Sequence, residues 1–173
     1  HISWLVFSCS FPDRIMADIE VLPEFHAVCP VPFGWVAVAV EEDAVREIRI
    51  LEQPPERTAI PEPLAETVCR KLQEWFAGGD WPQGIPVNPE GTAYQKKVWQ
   101  ALLRIPSGET LTYGELARQL SSGPRAIGGA CRRNPVPLLI PCHRVVAANG
   151  DGGFAGHTSG QWMDIKRWLL NHE

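Results

Sequence analysis

The sequence predicts an α+β protein: a small antiparallel-sheet unit with one helix, followed by a helical unit. Three features predict it. Residues 33–51 hold two Val-rich stretches that alternate apolar and polar side chains. Helical stripes headed by capping boxes begin only after residue 92. Between them, Asp80 to Gly91 carries three prolines and two glycines, the composition of a linker. The boundary is therefore placed there, giving an N-terminal α/β domain over 16–88 and a C-terminal domain over 89–173. Residues 1–15 lack a basic leader and a cleavage site, and Met16-Ala17-Asp18 reads as a natural start. They are treated as a non-native or upstream extension and left out of the fold argument.

Phe33 to Val40 (FGWVAVAV) and Val45 to Leu51 (VREIRIL) read as the arms of a β-hairpin, with Glu41-Glu42-Asp43 as its polar turn. Pro63 suits the first turn of a helix. Leu64, Val68, Leu72, Trp75 and Phe76 then recur at helical spacing until Gly78-Gly79 ends it. Thr92-x-x-Gln95 is a capping box ahead of the stripe Tyr94, Val98, Ala101, Leu102 and Ile105. Pro106-Ser107-Gly108 closes that helix. Thr112-x-x-Glu115 is a second box, ahead of Tyr113, Leu116, Ala117 and Leu120. Ser121-Ser122-Gly123 makes a turn, Pro124 opens the next helix over Arg125 to about Arg133, and Asn134-Pro135 closes it. Two short helices joined by a Gly-containing turn form a helix-turn-helix. Asn149 to Gly160 is a glycine-rich loop, and Gln161 to His172 is a last helix.

Composition narrows the function. No apolar run approaches the ~18 residues that a membrane span needs, so no membrane role is expected. The five cysteines are odd in number, scattered, and contain no C-x-x-C. This favours a reducing, intracellular (cytoplasmic) setting over a disulfide framework or a four-cysteine zinc site. His26-x-x-Cys29 could supply two metal ligands but has no partner pair, so no metal is expected.

The net charge of −4 hides an asymmetry. Residues 1–92 carry a net of −9, residues 93–145 a net of +6. A basic middle in an acidic chain is the electrostatic footprint of a nucleic-acid face. The helix Arg125-Ala126-Ile127-Gly128-Gly129-Ala130-Cys131-Arg132-Arg133 has three arginines and no acid. Each glycine costs it about 1 kcal/mol relative to alanine. Either tight packing against another helix or the close approach of a ligand would justify that. Few of its side chains can read base edges. Small residues led by an arginine suit the narrower minor groove, with little dependence on base sequence.

The candidate reactive centre is Ile140-Pro141-Cys142-His143-Arg144-Val145. The thiolate is the nucleophilic form of cysteine, and a neighbouring histidine or positive field promotes it. Pro141 stiffens the turn that presents Cys142. Taken alone, a Cys-His pair is a weak signal and reads better as a buried structural cysteine; the rest of the chain turns the reading.

The ordered set of motifs resembles the O6-alkylguanine-DNA alkyltransferases, also called methylated-DNA–protein-cysteine methyltransferases. The resemblance rests on Pro141-Cys142-His143-Arg144-Val145, Arg125-Ala-Ile-Gly-Gly-Ala, Asn134-Pro135-Val136-Pro137, and Tyr94-Gln95-x-x-Val98-Trp99-x-Ala101-Leu102. It rests also on Pro106-x-Gly108-Glu109, Tyr113-Gly114-Glu115-Leu116-Ala117 and Trp168-Leu169-Leu170-x-His172-Glu173. From residue 92 onward the match is in order; residues 29–81 match in pattern only.

The resemblance implies a ribonuclease-H-like N-terminal unit and a C-terminal unit that flips an alkylated base out of duplex DNA. The substrate would be O6-alkylguanine, and also O4-alkylthymine. Arg125 would fill the vacated stack. Ala126, Gly128, Gly129 and Arg132 would face DNA, and Tyr113 would help expel the nucleotide and protonate the departing base. Cys142 would attack the alkyl carbon, His143 would take its proton through a water, and Glu173 would orient His143. Asn134 would hold the turn, while Val145 and Pro137 would line the base pocket. The product is a thioether, so each molecule would act once, as a monomer, without a cofactor. The loop around Gly153-Phe154-Ala155-Gly156 is longer than in many relatives and would shape the alkyl pocket.

Three alternatives compete. A lesion-binding protein that repairs nothing would lack the cysteine. A sequence-specific regulator would need base-reading side chains on the second helix. A cysteine hydrolase would need an oxyanion site and turnover.

Overall fold

The computed structural model describes residues 24–150 and 160–173, together with the backbone of Val6 and Phe7. The extension read at 1–15 and the loop read at 149–160 lie mostly outside these residues.

Strand β1 (Val6–Phe7) pairs with β4 (Ala44–Leu51). Strand β4 pairs with β3 (Gly34–Glu41), and β3 with β2 (Ala27–Val31), all antiparallel, in the order β1-β4-β3-β2. The β3–β4 hairpin is the one its alternation predicts. Its two-residue loop, Glu42-Asp43, has φ of 52° and 62°, the twist that a tight hairpin requires. Gly34 is needed at the far end: its φ is 140°, and a Cβ there would stand 2.4 Å from the Leu51 carbonyl oxygen. Strand β2 has no counterpart in the pattern. It contains Pro30, which cannot donate to a ladder, and it survives because it is an edge strand.

Helix α1 (Pro63–Phe76) starts at the predicted proline and packs its Val68, Leu72 and Trp75 face on the sheet. Residues 86–88 then run back along β4. Val45 donates to the Pro86 carbonyl at 2.9 Å, and Asn88 donates to the Val45 carbonyl at 2.9 Å. Helix α2 (Ala93–Leu102) has both halves of its predicted capping box, as does α3 (Tyr113–Gln119). Helix α4 (Pro124–Arg132) follows α3 in a helix-turn-helix. Its turn closes as a Schellman motif with Ser121 left-handed at φ 52°: Ser122 donates to Ala117 and Ser121 to Arg118. The indole of Trp99 donates to the Ala130 carbonyl at 2.9 Å and ties α2 to α4. Helix α5 (Gln161–His172) ends at Glu173.

One apolar cluster runs through both halves, from Val36, Val38 and Ile48 to Leu116, Ile140 and Leu169. The sheet also reaches the segment ahead of the cysteine directly, where Ile48 donates to the Pro135 carbonyl at 2.9 Å. No helix among the described residues is long and apolar enough to cross a membrane.

Candidate active site

Cys142 opens a single 3-10 turn, Cys142–Arg144, directly after Pro141. The chain arrives there through a bent lead-in, residues 134–141, in which buried Leu138 holds a φ of 73°. A leucine adopts that conformation only when its surroundings impose it. Asn134 supplies the constraint. It is fully buried, its amide Nδ2 donates to the Ile140 carbonyl at 2.8 Å, and its Oδ1 accepts from the Val136 amide at 3.0 Å. The Ile140 carbonyl accepts also from the Cys142 amide at 2.8 Å, so Asn134 and the reactive turn share one anchor.

Strand β5 (Leu111–Thr112) pairs in parallel with β6 (Val145–Val146), Leu111 opposite Val145 and Thr112 opposite Val146. This pairing delivers Tyr113, the first residue of α3, to the edge of the cysteine segment. The same pairing orients the α3–α4 unit relative to Cys142.

Cys142 is buried, 5% exposed, and carries a thiol rather than a disulfide. His143 is fully buried, and its Nε2 lies 3.0 Å from Glu173 Oε1. The Glu173 side chain is itself 1% exposed. A carboxylate only accepts, so Nε2 carries the proton. Nδ1 is buried with no hydrogen-bond partner among the described residues. Burial holds the His143 pKa below its ordinary value; the hydrogen bond and charge of Glu173 oppose that, and the Arg144 and Lys166 cations add to it. The ring is therefore neutral near pH 7, with Nδ1 an acceptor. Burial works against the charge on Glu173 too. The hydrogen bonds from His143 and Arg144 outweigh it and bring the carboxyl down to about 2.

Arg144 and Lys166 are the site residues that the sequence did not single out. Arg144 is 1% exposed. Its Nε donates to both Glu173 oxygens at 3.1 Å, its Nη2 donates to Oε1 at 2.6 Å, and its Nη1 donates to the Ile105 carbonyl at 2.8 Å. Its guanidinium lies 4.7 Å from the centre of the Trp81 ring, so the linker also holds it. Lys166 is fully buried, donates to the Val145 carbonyl at 2.7 Å, and stands 5.9 Å from the Tyr113 ring centre. The only hint in the sequence was an arginine inside the cysteine motif and a lysine on the apolar face of α5. A buried cation needs long-range partners that no local pattern shows.

Cys131 of α4 sits behind this centre. Burial, and then the neighbouring Cys142, push its thiol up, against the pull of Lys166. It stays protonated and serves as packing.

The remaining predicted residues lie as follows. Arg125, Ala126 and Arg132 are on the exposed face of α4, while Ile127, Ala130 and Cys131 face the core. A Cβ added to Gly128 or Gly129 would meet nothing within 4 Å. Tight internal packing therefore does not explain these glycines. Pro137 is buried in the lead-in, and Val145 is buried beside Tyr113. His26 and Cys29 serve separate partners: His26 Nδ1 accepts from the Val40 amide, and the Cys29 thiol points to the Cys69 carbonyl. Among the described residues no three His, Cys, Asp or Glu side chains gather as a metal site.

Fold and site together define a helix-turn-helix protein whose buried thiol adjoins a histidine–carboxylate pair. Comparison with known proteins makes the class particular. Residues 93–173 match the family described as 6-O-methylguanine DNA methyltransferase, DNA binding domain. The chain is 36% identical over 156 residues to the methylated-DNA–protein-cysteine methyltransferase of Methanosarcina acetivorans, spanning 86% of this chain and 97% of that one. It is 36% identical over 162 residues to the constitutive methylated-DNA–protein-cysteine methyltransferase of Bacillus subtilis, spanning 86% and 94%. The crystal structure of Mycobacterium tuberculosis OGT in complex with DNA superposes with a TM-score of 0.69 at 33% identity, covering 83% of this chain and 89% of that one. An O6-methylguanine DNA methyltransferase from Methanococcus jannaschii superposes with a TM-score of 0.62 at 28% identity, covering 84% and 92%. The chain belongs to the methylated-DNA–protein-cysteine methyltransferase family.

Proposed function

We propose that this protein repairs DNA by direct reversal, moving the alkyl group of O6-alkylguanine onto Cys142. The observation that carries the reading is the thiol of Cys142 next to a neutral His143 whose Nε2–H is fixed on Glu173, in a chain of this family.

The reaction follows from the groups present. The sulfur of Cys142 attacks the alkyl carbon; an S–C bond forms as the C–O6 bond breaks. His143 Nδ1 takes the thiol proton through a water, the Tyr113 hydroxyl gives one to the departing guanine, and solvent then carries the proton from His143 back to Tyr113. Overall the thiol hydrogen is exchanged for the alkyl group. Nothing beyond the thiol and the lesion is consumed, so no cofactor enters. Glu173 and Arg144 stay ionised throughout and keep the imidazole oriented. The thioether is a poor leaving group, so each chain acts once.

The lesion lies in duplex DNA, and Cys142 is buried, so the base must leave the stack to meet it. The exposed face of α4 is the proposed contact, in the minor groove and largely independent of sequence. Ala126, Gly128 and Gly129 admit the backbone, Arg132 meets phosphate, and Arg125 fills the gap. The Val145 carbonyl, already accepting from Lys166, has a second lone pair for the exocyclic amine of guanine. Asn134 and Pro137 shape the pocket wall. O4-alkylthymine is the second substrate proposed. A monomer acting on DNA inside the cell is the proposed form and place.

Intact-protein mass after incubation with duplex carrying O6-methylguanine tests this. One methyl group per chain, mapped to Cys142 and ending at one equivalent, is expected. Cys142→Ala should take none and still hold the lesion. Unchanged mass with tight lesion binding in the unsubstituted protein would instead identify a binding protein that repairs nothing.

A further inference from the structure

The last turn of α5 ends at the carboxylate that contacts both His143 and Arg144. Helix ends fray, and Glu173 is held to α5 by one backbone bond, from its amide to the Leu169 carbonyl at 3.2 Å. Arg144 and His143 hold its carboxylate, but the helix turn that carries it needs a hold of its own. The residue before it supplies that hold, by reaching to α1.

His172 Nε2 lies 2.6 Å from the Trp75 carbonyl, at the end of α1 in the sheet half. A carbonyl only accepts, so His172 donates there. The same oxygen takes the Gly78 amide at 3.0 Å, which satisfies both of its lone pairs. The imidazole stacks on Trp168 one turn back, with centres 4.8 Å apart and planes 13° apart. It also meets the Trp75 ring edge-on at 5.2 Å. Trp168 is held in turn by Phe76 at 5.5 Å and by Phe33, ahead of β3, at 5.7 Å. Three rings from α1 and α5, Trp75, Phe76 at 6.2 Å and Trp168, thus meet one imidazole, and Phe33 backs Trp168 and Phe76 from behind. Such offset and edge-to-face contacts fix ring orientation better than aliphatic packing does.

We infer that His172 is a positioning residue for alkyl transfer: clamped between the Trp75 carbonyl and the Trp168 ring, it holds Glu173 on His143. The inference rests on the function proposed above. It gives the sheet half a part in the chemistry, although that half supplies no reacting group. Removing the clamp lets the last turn of α5 loosen. The carboxylate then drifts from the imidazole, and base catalysis weakens while the DNA face on α4 is untouched. A misplacement of about 1 Å can cost on the order of 100-fold in rate.

The test compares His172→Ala and His172→Gln with the unsubstituted protein under single-turnover conditions. Transfer rate and affinity for lesion-bearing duplex are measured separately. The hydrogen-bonded Nε2–H signal of His143 is followed by nitrogen-15 NMR. His172→Ala should transfer about 10-fold more slowly per folded molecule, bind duplex unchanged, and lose the hydrogen-bonded signal. His172→Gln keeps a donor for the Trp75 carbonyl and should recover most of the rate and the signal. A wild-type rate in folded His172→Ala, or slowing with the His143 signal intact, overturns the inference. If His172→Ala does not fold, Phe33→Leu, which loosens Trp168 without touching His172, should show a smaller slowing with the same loss of signal. An intact signal in that variant overturns the inference equally. Failure of the unsubstituted protein to take up a methyl group would defeat the functional reading instead.

Discussion

At the scale of single residues, the site is a small network of buried polar groups, and each member is costly to remove. Asn134→Ala would strand the buried Val136 amide, take from the Ile140 carbonyl one of its two donors, and release the left-handed Leu138. The expected loss is about 3 kcal/mol, read as a lower denaturant midpoint with unchanged m-value. Glu173 and His143 make the fold acid-sensitive in two steps. His143 is held below 6.5, so the unfolded chain binds its proton first and stability declines as pH falls through that value. Glu173 is held at about 2 against an ordinary 4.5, so its contribution is complete well above 4.5 and fades as pH drops toward 2. Stability measured against pH should show both declines. Glu173→Gln should abolish the lower one. At neutral pH it should also cost about 3 kcal/mol, because Arg144 remains charged and buried without its partner. An acid limb that survives this substitution unchanged would mean that other carboxylates carry it.

Among the elements, α4 is the one whose sequence works against its own stability. Neither Gly128 nor Gly129 meets a neighbour that would explain the missing Cβ. Gly128→Ala should therefore stabilise the folded protein by about 1 kcal/mol, and at the same time weaken its hold on duplex DNA. Opposite signs in the two measurements are the signature of a glycine kept for an outside ligand. A gain in stability with undiminished affinity would refute that. The turn before α4 offers a contrast. Ser121 occupies a left-handed position where glycine is usual, and its side chain is exposed. Ser121→Gly should raise stability by about 0.5–1 kcal/mol in denaturation experiments, without altering transfer.

Over the whole molecule, the first half supports the second through a shared core and a few directed bonds. These are the Ile48 amide on Pro135, the linker along Val45, Trp81 under Arg144, and His172 on Trp75. Ile48 is fully buried, and its amide holds the lead-in that carries Asn134. Ile48→Ala should cost about 3 kcal/mol. Because the core is continuous, fluorescence and far-ultraviolet dichroism should report one coincident unfolding transition in both proteins. Two separated transitions would show that the halves are energetically independent.

What could be read from the sequence was what is local. Both capping boxes, the hairpin, the proline starts of α1 and α4 and the motif Pro141–Val145 are set by residues within a few positions of each other, and each formed as its pattern required. The basic bias of residues 93–145 is likewise a property of the chain itself. Strand β2 escaped notice because five residues with an internal proline carry no period, and only pairing with β3 makes them a strand. The contact of His143 with Glu173 spans 30 residues and was expected through family resemblance alone. The chelation of Glu173 by Arg144, the burial of Lys166 and the clamp on His172 were decided by the tertiary structure. A buried charge or a donor on a distant carbonyl is stable only where separate elements converge to desolvate and satisfy it. That convergence is set by the packing of all the elements together, and no single segment encodes it.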